Sequence, residues 1–222
     1  VATWPEGREF ATQPSMMRIT LNVVLRAVFG AEGAEFDELR QILPSLVELG
    51  SRLAVLPPRI RRDYGPLSPG GRYAFYRRRY DALIARLIAK ARQDPDFAER
   101  TDVLSLLLAA RYDDGEPISD AHIADELLTL LAAGHETTAT TLAWAVERIR
   151  RHPDLLERLV VEADAGGSEL LQAVVWEVQR TRPVVEGTGR LTHARIRLGP
   201  WVIPEGRMVM VPIRMQHLSA EH

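Results

Sequence analysis

An α-dominated α+β fold is expected from three features of this chain. Between about residues 14 and 182, apolar residues recur at helical spacing. Proline and glycine clusters divide that stretch into separate helices, and beyond Pro183 the texture becomes β-rich, from roughly 190 to 213. Helices first and a small sheet afterwards is the order of an α+β chain.

The first helix is predicted over Pro14 to Phe29. Ser15 is placed to cap it, Gly30 to stop it in the left-handed conformation, and Ile19, Val23, Val24, Ala27 and Val28 to supply the apolar recurrence. A second helix, about Glu35 to Leu49, is expected to be interrupted by Pro44. Arg52 to Gly71 is rich in Pro and Gly and reads as a long connection, of a kind that is often functional. Arg72 to Arg92 is strongly periodic. Tyr76, Tyr80, Leu83, Ile84, Leu87, Ile88 and Ala91 form its buried stripe, and Arg77, Arg78, Arg79, Arg86 and Lys90 lie mostly off it. That basic cluster reads as a solvated face in preference to a docking patch for an acidic partner.

Asp102 to Arg111 is a short buried helix, and Asp113 to Pro117 a turn. The longest element runs from Ser119 to His152, with acids at its start and arginines at its end, as the helix dipole favours. Pro153 opens a helix to Asp164, and Ser168 caps another to Thr181 that Pro183 ends. Arg190 to Leu198, Trp201 to Ile203 and Arg207 to Ile213 are predicted strands, turned at Gly199-Pro200 and Pro204-Glu205-Gly206.

Composition excludes several function classes. The chain has 222 residues, 46% hydrophobic and 26% charged, near the globular average, so wholesale disorder and collagen-like repeats are excluded. The net charge of −2 gives no support to nucleic-acid binding, and no helix-turn-helix is evident. Cysteine is absent, so these residues supply no disulfide, no thiolate nucleophile and no thiolate metal ligand. Lys90 is the one lysine among 28 basic residues, the skew of a GC-rich bacterial coding sequence. Val1 to Phe10 lack the positively charged start and apolar core of a signal peptide, and no apolar run approaches the roughly 18 residues of a bilayer span. The chain is therefore expected to be cytoplasmic. Both ends read as cuts in a longer protein.

The longest helix breaks its own rules at Ala132-Ala133-Gly134-His135-Glu136-Thr137-Thr138-Ala139-Thr140-Thr141. Glycine costs a helix about 1 kcal/mol against alanine, and each threonine a few tenths. Apolar stretches on either side suggest burial on most faces, where a carboxylate and hydroxyls need partners or a wet cavity. Small residues followed by hydroxyls let the backbone approach a large flat ligand, and threonine bonding to the carbonyl four residues back can bend the helix. The plain alternative is close helix packing. A zinc-protease motif is excluded, because Ala139 stands where H-E-x-x-H needs its second histidine. Glu177 and Arg180, three apart on a later helix, share a face and can pair.

Together and in this order the motifs resemble the cytochrome P450 family. Ala133-Gly134-His135-Glu136-Thr137-Thr138 is similar to its oxygen-binding segment, Glu177 and Arg180 to its E-x-x-R pair, and Arg190 to its haem-propionate residue. Val202-Ile203-Pro204-Glu205-Gly206 resembles the family's strand-turn segment, with His217 after it, and Arg18 to Gly30 the helix before its substrate-gating region. The resemblance implies a single partial domain over 1–222, with a helical core and a small β-sheet near the C-terminus.

It also implies that the intact parent is a haem-thiolate monooxygenase acting on an apolar small molecule with dioxygen. Haem b would be the cofactor, with electrons from NAD(P)H through a ferredoxin/reductase-type redox partner. Glu136 would relay protons and Thr137 hydrogen-bond the oxygen species. Ala133, Gly134, Thr137 and Arg190 would contact haem, with Arg190 on a propionate. Glu177 and Arg180 would form a buried structural pair. Ala132, Ala133, Val184, Val185 and Glu186 would line the substrate pocket, and His135 would either join the proton path or, the preferred reading, serve in packing. The family's iron-ligating cysteine is missing from these residues, so the chain alone is expected to be inactive. The rival readings are a non-catalytic helical small-molecule-binding domain and a haem-less remnant.

Overall fold

The computed structural model describes residues 4–30 and 33–219. Eight α-helices are found among them: α1 Gln13–Phe29, α2 Ala34–Ala54, α3 Pro69–Arg92, α4 Val103–Ala109, α5 Asp120–Arg150, α6 Pro153–Asp164, α7 Glu169–Thr181 and α8 Ile213–His217. Four short strands, β1 Thr188–Leu191, β2 Ile196–Leu198, β3 Trp201–Ile203 and β4 Met208–Val211, form two antiparallel pairs, β1 with β4 and β2 with β3. The predicted order of helices before strands is observed. The chain divides into two compact units, Met17–Glu136 and Val1–Met16 with Thr137–His222, and passes between them within α1 and again within α5.

The Met17–Glu136 unit holds the main core. Leu25 and Phe29 of α1, Leu39, Ile42, Leu43 and Leu46 of α2, Tyr80, Leu83, Ile84 and Ile88 of α3, and Ile123, Leu127 and Leu131 of α5 form one buried apolar cluster. The α3 stripe is the predicted one, except that Tyr76 is only partly buried. Burial pushes the Tyr80 phenol up, and its hydroxyl donates to Ala124 O at 3.0 Å. The arginines off that stripe do more than face water. Arg79 and Arg86 both reach Glu38 of α2, and Arg77 bridges Asp81 and Asp125. Exposed pairs of this kind contribute about 0–1 kcal/mol each.

Several local expectations are corrected. In α1 the inward residues are Leu21, Leu25 and Val28, while Ile19 and Val23 are exposed. The helix is apolar on most sides, so its period alone could not choose the buried face. Ser15 is not the cap. The helix starts two residues earlier, and the Thr12 carbonyl accepts from the Ser15 and Met16 amides. Pro44 does not interrupt α2. It sits on the exposed side, and burial of Ile42, Leu43 and Leu46 carries the helix through to Ala54. The connection to α3 is shorter than predicted because Ser68 caps α3 with its hydroxyl on the Gly71 amide, and Pro69 opens it. Gly70 and Gly71 are required there: a β-carbon would lie 2.2 Å from Arg62 O and 2.0 Å from Gly65 O, respectively.

Ser168 does not cap α7 through its side chain. Glu162 of α6 does so, accepting the Leu170 and Leu171 amides at 2.6 and 2.9 Å. Gly167 permits this approach, since a β-carbon there would lie 2.8 Å from Glu162 Cγ. The predicted strand over Arg190 to Leu198 divides into β1 and β2, β3 has its predicted bounds, β4 is shorter than predicted, and α8 follows it. Thr192, buried between β1 and β2, holds the turn after β3. Its hydroxyl donates to Pro204 O and accepts from the Arg207 amide, while its carbonyl accepts from Gly206 N. Gly206 takes a positive φ of 76°, as the turn requires.

Asp102 links three parts of the Met17–Glu136 unit. It caps α4 through the Ser105 amide at 3.0 Å and pairs with Arg100, whose guanidinium also donates to Phe29 O at the end of α1. Gly30, at φ 71°, lets α1 stop against this carboxylate, because a β-carbon would lie 2.8 Å from Asp102 Oδ2. Burial pushes the Asp102 carboxyl up, but the Arg100 and Ser105 bonds outweigh it and hold it below the usual carboxylate range. A folded-state value below the unfolded one adds stability at neutral pH, and that stability is lost as pH falls through the carboxylate range. Asp102→Asn should therefore lower stability at pH 7 and flatten the decline below about pH 4, read as urea midpoints across pH. An unchanged pH profile would show that the carboxylate carries none of it.

Candidate functional site

Helix α5 is unbroken across the irregular segment. Ile123, Leu127, Leu131, His135 and Ala139 make a buried stripe at spacing four. Glu136, Thr137 and Thr138 consequently project from another side and are exposed. This corrects the expectation of burial on most faces: the carboxylate and hydroxyls meet water. Ala132 is half-buried and Ala133 exposed, and a β-carbon at Gly134 would stand 3.5 Å from Val24 Cγ2. Thr141 donates its hydroxyl to the Thr137 carbonyl at 3.0 Å, the back-bonding foreseen for this run.

His135 fixes the orientation of this segment. Its Nε2 lies 2.9 Å from Met17 O, and its own carbonyl accepts the Thr20 hydroxyl at 3.2 Å. The imidazole is therefore part of the packing between α1 and α5, as the packing reading held. Neither Thr20 nor Met17 was singled out from sequence. The available signal was a histidine four residues from Leu131 and four from Ala139, on the apolar stripe.

Within the unit containing Thr137–His222, Glu177 and Arg180 do meet. Arg180 Nε and Nη2 each lie 2.7 Å from a different Glu177 oxygen, a bidentate pair, and Nη1 donates to His217 O at 2.8 Å. Arg180 holds the Glu177 carboxyl below the usual range, and Glu177 raises the guanidinium in return. The expected burial is not observed: their side chains are 58% and 49% exposed. Sequence gave the pairing through its spacing, but Trp176 on the same helix is also exposed, so apolar neighbours did not imply a buried face. The link from Arg180 to α8 was not foreseen.

Val184 and Val185 follow α7 with exposed side chains. Glu186 pairs with Arg214 at 2.9 Å and accepts the Arg214 amide on its carbonyl, tying the turn to α8. Arg190 of β1 donates to Thr188 Oγ1 at 2.7 Å and Gly189 O at 2.8 Å, and it forms no ion pair among the described residues. Its contacts are to neutral oxygens. No group of three or more His, Asp or Glu side chains that could hold a metal ion occurs among the described residues, and no described helix is long and apolar enough to cross a membrane.

A helical core, a hydroxyl-bearing face on the longest helix, a Glu–Arg pair on α7 and short antiparallel strands beyond it make up a mainly α protein. The cytochrome P450 family model matches residues 3–222, and the chain belongs to the cytochrome P450 family. A Mycobacterium tuberculosis protein named "Putative cytochrome P450 138" is 57% identical over 217 residues, covering 97% of this chain and 49% of that protein. "Putative cytochrome P450 135B1" from the same species is 39% identical, over 100% of this chain and 48% of that protein. Among solved structures, a retinoic acid-bound cyanobacterial CYP120A1 superposes with a TM-score of 0.76 at 25% identity, over 97% of this chain and 49% of the other. The heme domain of a cytochrome P450DA mutant gives 0.79 at 22% identity, a likeness of fold alone. The chain spans about half the length of the curated relatives it matches.

Family membership implies haem b in the intact protein. The residues present fit the edge of that group. Arg190 offers a guanidinium with no ion pair among the described residues, suited to a propionate, and Ala133 is exposed on α5, whereas Gly134 is half-buried against Val24 of α1. The axial thiolate of the family cannot come from these 222 residues, which contain no cysteine.

His135→Ala removes an imidazole buried between two helices and should lower stability by about 1–3 kcal/mol, measured by chemical denaturation. An unaltered midpoint would mean that the α1–α5 contact does not depend on this ring.

Proposed function

We propose that residues 1–222 are part of one monooxygenase domain whose intact form inserts one atom of dioxygen into an apolar small molecule. The overall reaction consumes two electrons and two protons: substrate C–H, O2, two electrons and two protons give C–OH and water. The observation that carries this reading is the exposed Glu136-Thr137-Thr138 face, held outward by the buried His135 and Ala139 on an unbroken helix.

Haem, when bound, supplies the redox chemistry of oxygen activation. The chain's residues supply position and protons. Glu136, exposed to solvent, can take up a proton from water and pass it inward by side-chain rotation. Thr137, next in the helix, offers a hydroxyl to the oxygen atom being reduced. Ala132 and Ala133, with Val184 and Val185, give apolar surface to the substrate. Glu186 belongs to that lining as well, with its carboxylate charge offset by Arg214. Arg190 binds a haem propionate, and the Glu177–Arg180 pair fixes α7 against α8, steadying the segment that leads to Val184.

Electrons reach the intact protein from NAD(P)H through a ferredoxin/reductase-type partner, and the protein works in the cytoplasm. A carbon monoxide difference spectrum of the haem-containing protein tests the assignment directly. A thiolate-type band supports it, and its absence removes the monooxygenase reading. In that protein Glu136→Gln should slow turnover about 100-fold, the scale of a positioned acid–base group, and change the solvent isotope effect. An unchanged rate and isotope effect would take Glu136 out of the proton path. Thr137→Ala should retain haem but divert electrons from product to peroxide or water. Product formed per NAD(P)H consumed is the measurement, and a constant ratio would contradict the role of Thr137.

A further inference from the structure

A cleft of about 630 Å3 opens among the end of α5, the start of α6 and the outer part of α7, within the Thr137–His222 unit. Its size lies in the range of small-molecule sites. Arg148, Arg151, Arg158 and Arg182 line it, against the carboxylates of Asp154 and Glu177. Both oxygens of Glu177 are already held by Arg180, and Glu147 serves Arg148 and Arg151 together. Five guanidinia (Arg148, Arg151, Arg158, Arg180 and Arg182) thus stand around three carboxylates (Glu147, Asp154 and Glu177), a surplus of two positive charges. Arg158 makes no ion pair among the described residues. Arg182 donates to Thr181 O at 2.8 Å and stacks over Trp144 at 5.3 Å, and neither contact neutralises it. The Glu147 carboxyl is held below its ordinary range, first by Arg151 and further by Arg148 and Arg182.

The wall between these charges is apolar, with Leu155, Val174 and Val178 among the lining residues. We infer that this cleft binds a small organic oxyanion, a phosphate or carboxylate head on a compact apolar body. Arg158 and Arg182 would hold the head, and the aliphatic wall would hold the body. Guanidinia that form no ion pair recognise planar and tetrahedral oxyanions through paired N–H donors, and a partly enclosed cleft screens those bonds less than open surface does. Asp154 is the one lining carboxylate with no ion pair among the described residues, so it opposes an anion. The inference is independent of the oxygenase reading, because no residue assigned to haem or to oxygen chemistry is used, and Glu177 enters only through its pairing with Arg180.

Isothermal titration of the chain with phenyl phosphate, benzoate and inorganic phosphate tests it. Saturable one-site binding of phenyl phosphate or benzoate, tighter than inorganic phosphate and weakened by added salt, is the expected result. Arg158→Gln, which removes no described contact, should weaken phenyl phosphate binding about 10-fold, the scale of one charge-assisted hydrogen bond. Asp154→Asn should strengthen binding about threefold or more, by removing an exposed like charge. Absence of saturable binding would overturn the proposal, as would binding indifferent to both substitutions. The same titration is to be made on the haem-containing protein. Retained binding there supports a free ligand, and lost binding means that polypeptide outside these residues fills the cleft, which also overturns it.

Discussion

Much of this chain depends on the contact between α1 and the middle of α5. Helix α5 carries a glycine and four threonines within eight residues, a stretch that intrinsic propensity disfavours. It remains helical because its inward stripe is anchored. Leu127 and Leu131 pack in the apolar core, and His135 then exchanges polar contacts with α1 in both directions. A buried imidazole and hydroxyl satisfied in this way fix rotation about the helix axis more narrowly than aliphatic packing does. With His135 turned inward, helical geometry sends Glu136, Thr137 and Thr138 outward. The residues proposed to carry the chemistry are thus oriented by a buried histidine whose contacts are to α1.

Elsewhere side chains join helices at their ends, where backbone groups lack partners. Glu162 of α6 caps α7, Arg180 of α7 binds the last carbonyl of α8, and Arg100 binds the last carbonyl of α1 while Asp102 caps α4. Each contact satisfies a helix terminus and also sets where the next segment begins. The two units differ in how they achieve order. Met17–Glu136 buries a continuous aliphatic core. In the other unit Leu159 and Val178 are buried while Trp176, Trp201, Met208 and Met210 stay exposed, so polar end contacts carry more of the local geometry.

Charge is distributed by the same logic. On α3 the arginines that reach α2 and α5 find carboxylates. Around the cleft at the end of α5 the guanidinia outnumber their acids, and the surplus faces an apolar wall. Such an imbalance in a concave site has a different physical consequence from an equal number of arginines spread over a convex helix.

Residue order by itself determined the helical character, the late strands, the α3 stripe, the Glu177–Arg180 pairing and the family. Each depends on spacing along one element, or on several spaced motifs in series, and spacing survives in a linear sequence. Tertiary structure decided the rest. It chose Leu21 and Leu25 over Ile19 and Val23 as the inner face of α1, carried α2 past Pro44, gave the α7 cap to Glu162 in place of Ser168, and left Glu177 and Arg180 in water. These outcomes turn on which surface of a segment meets another. A helix apolar on most sides does not encode that choice locally, and a cap supplied by another helix has no signature beside the residue it replaces.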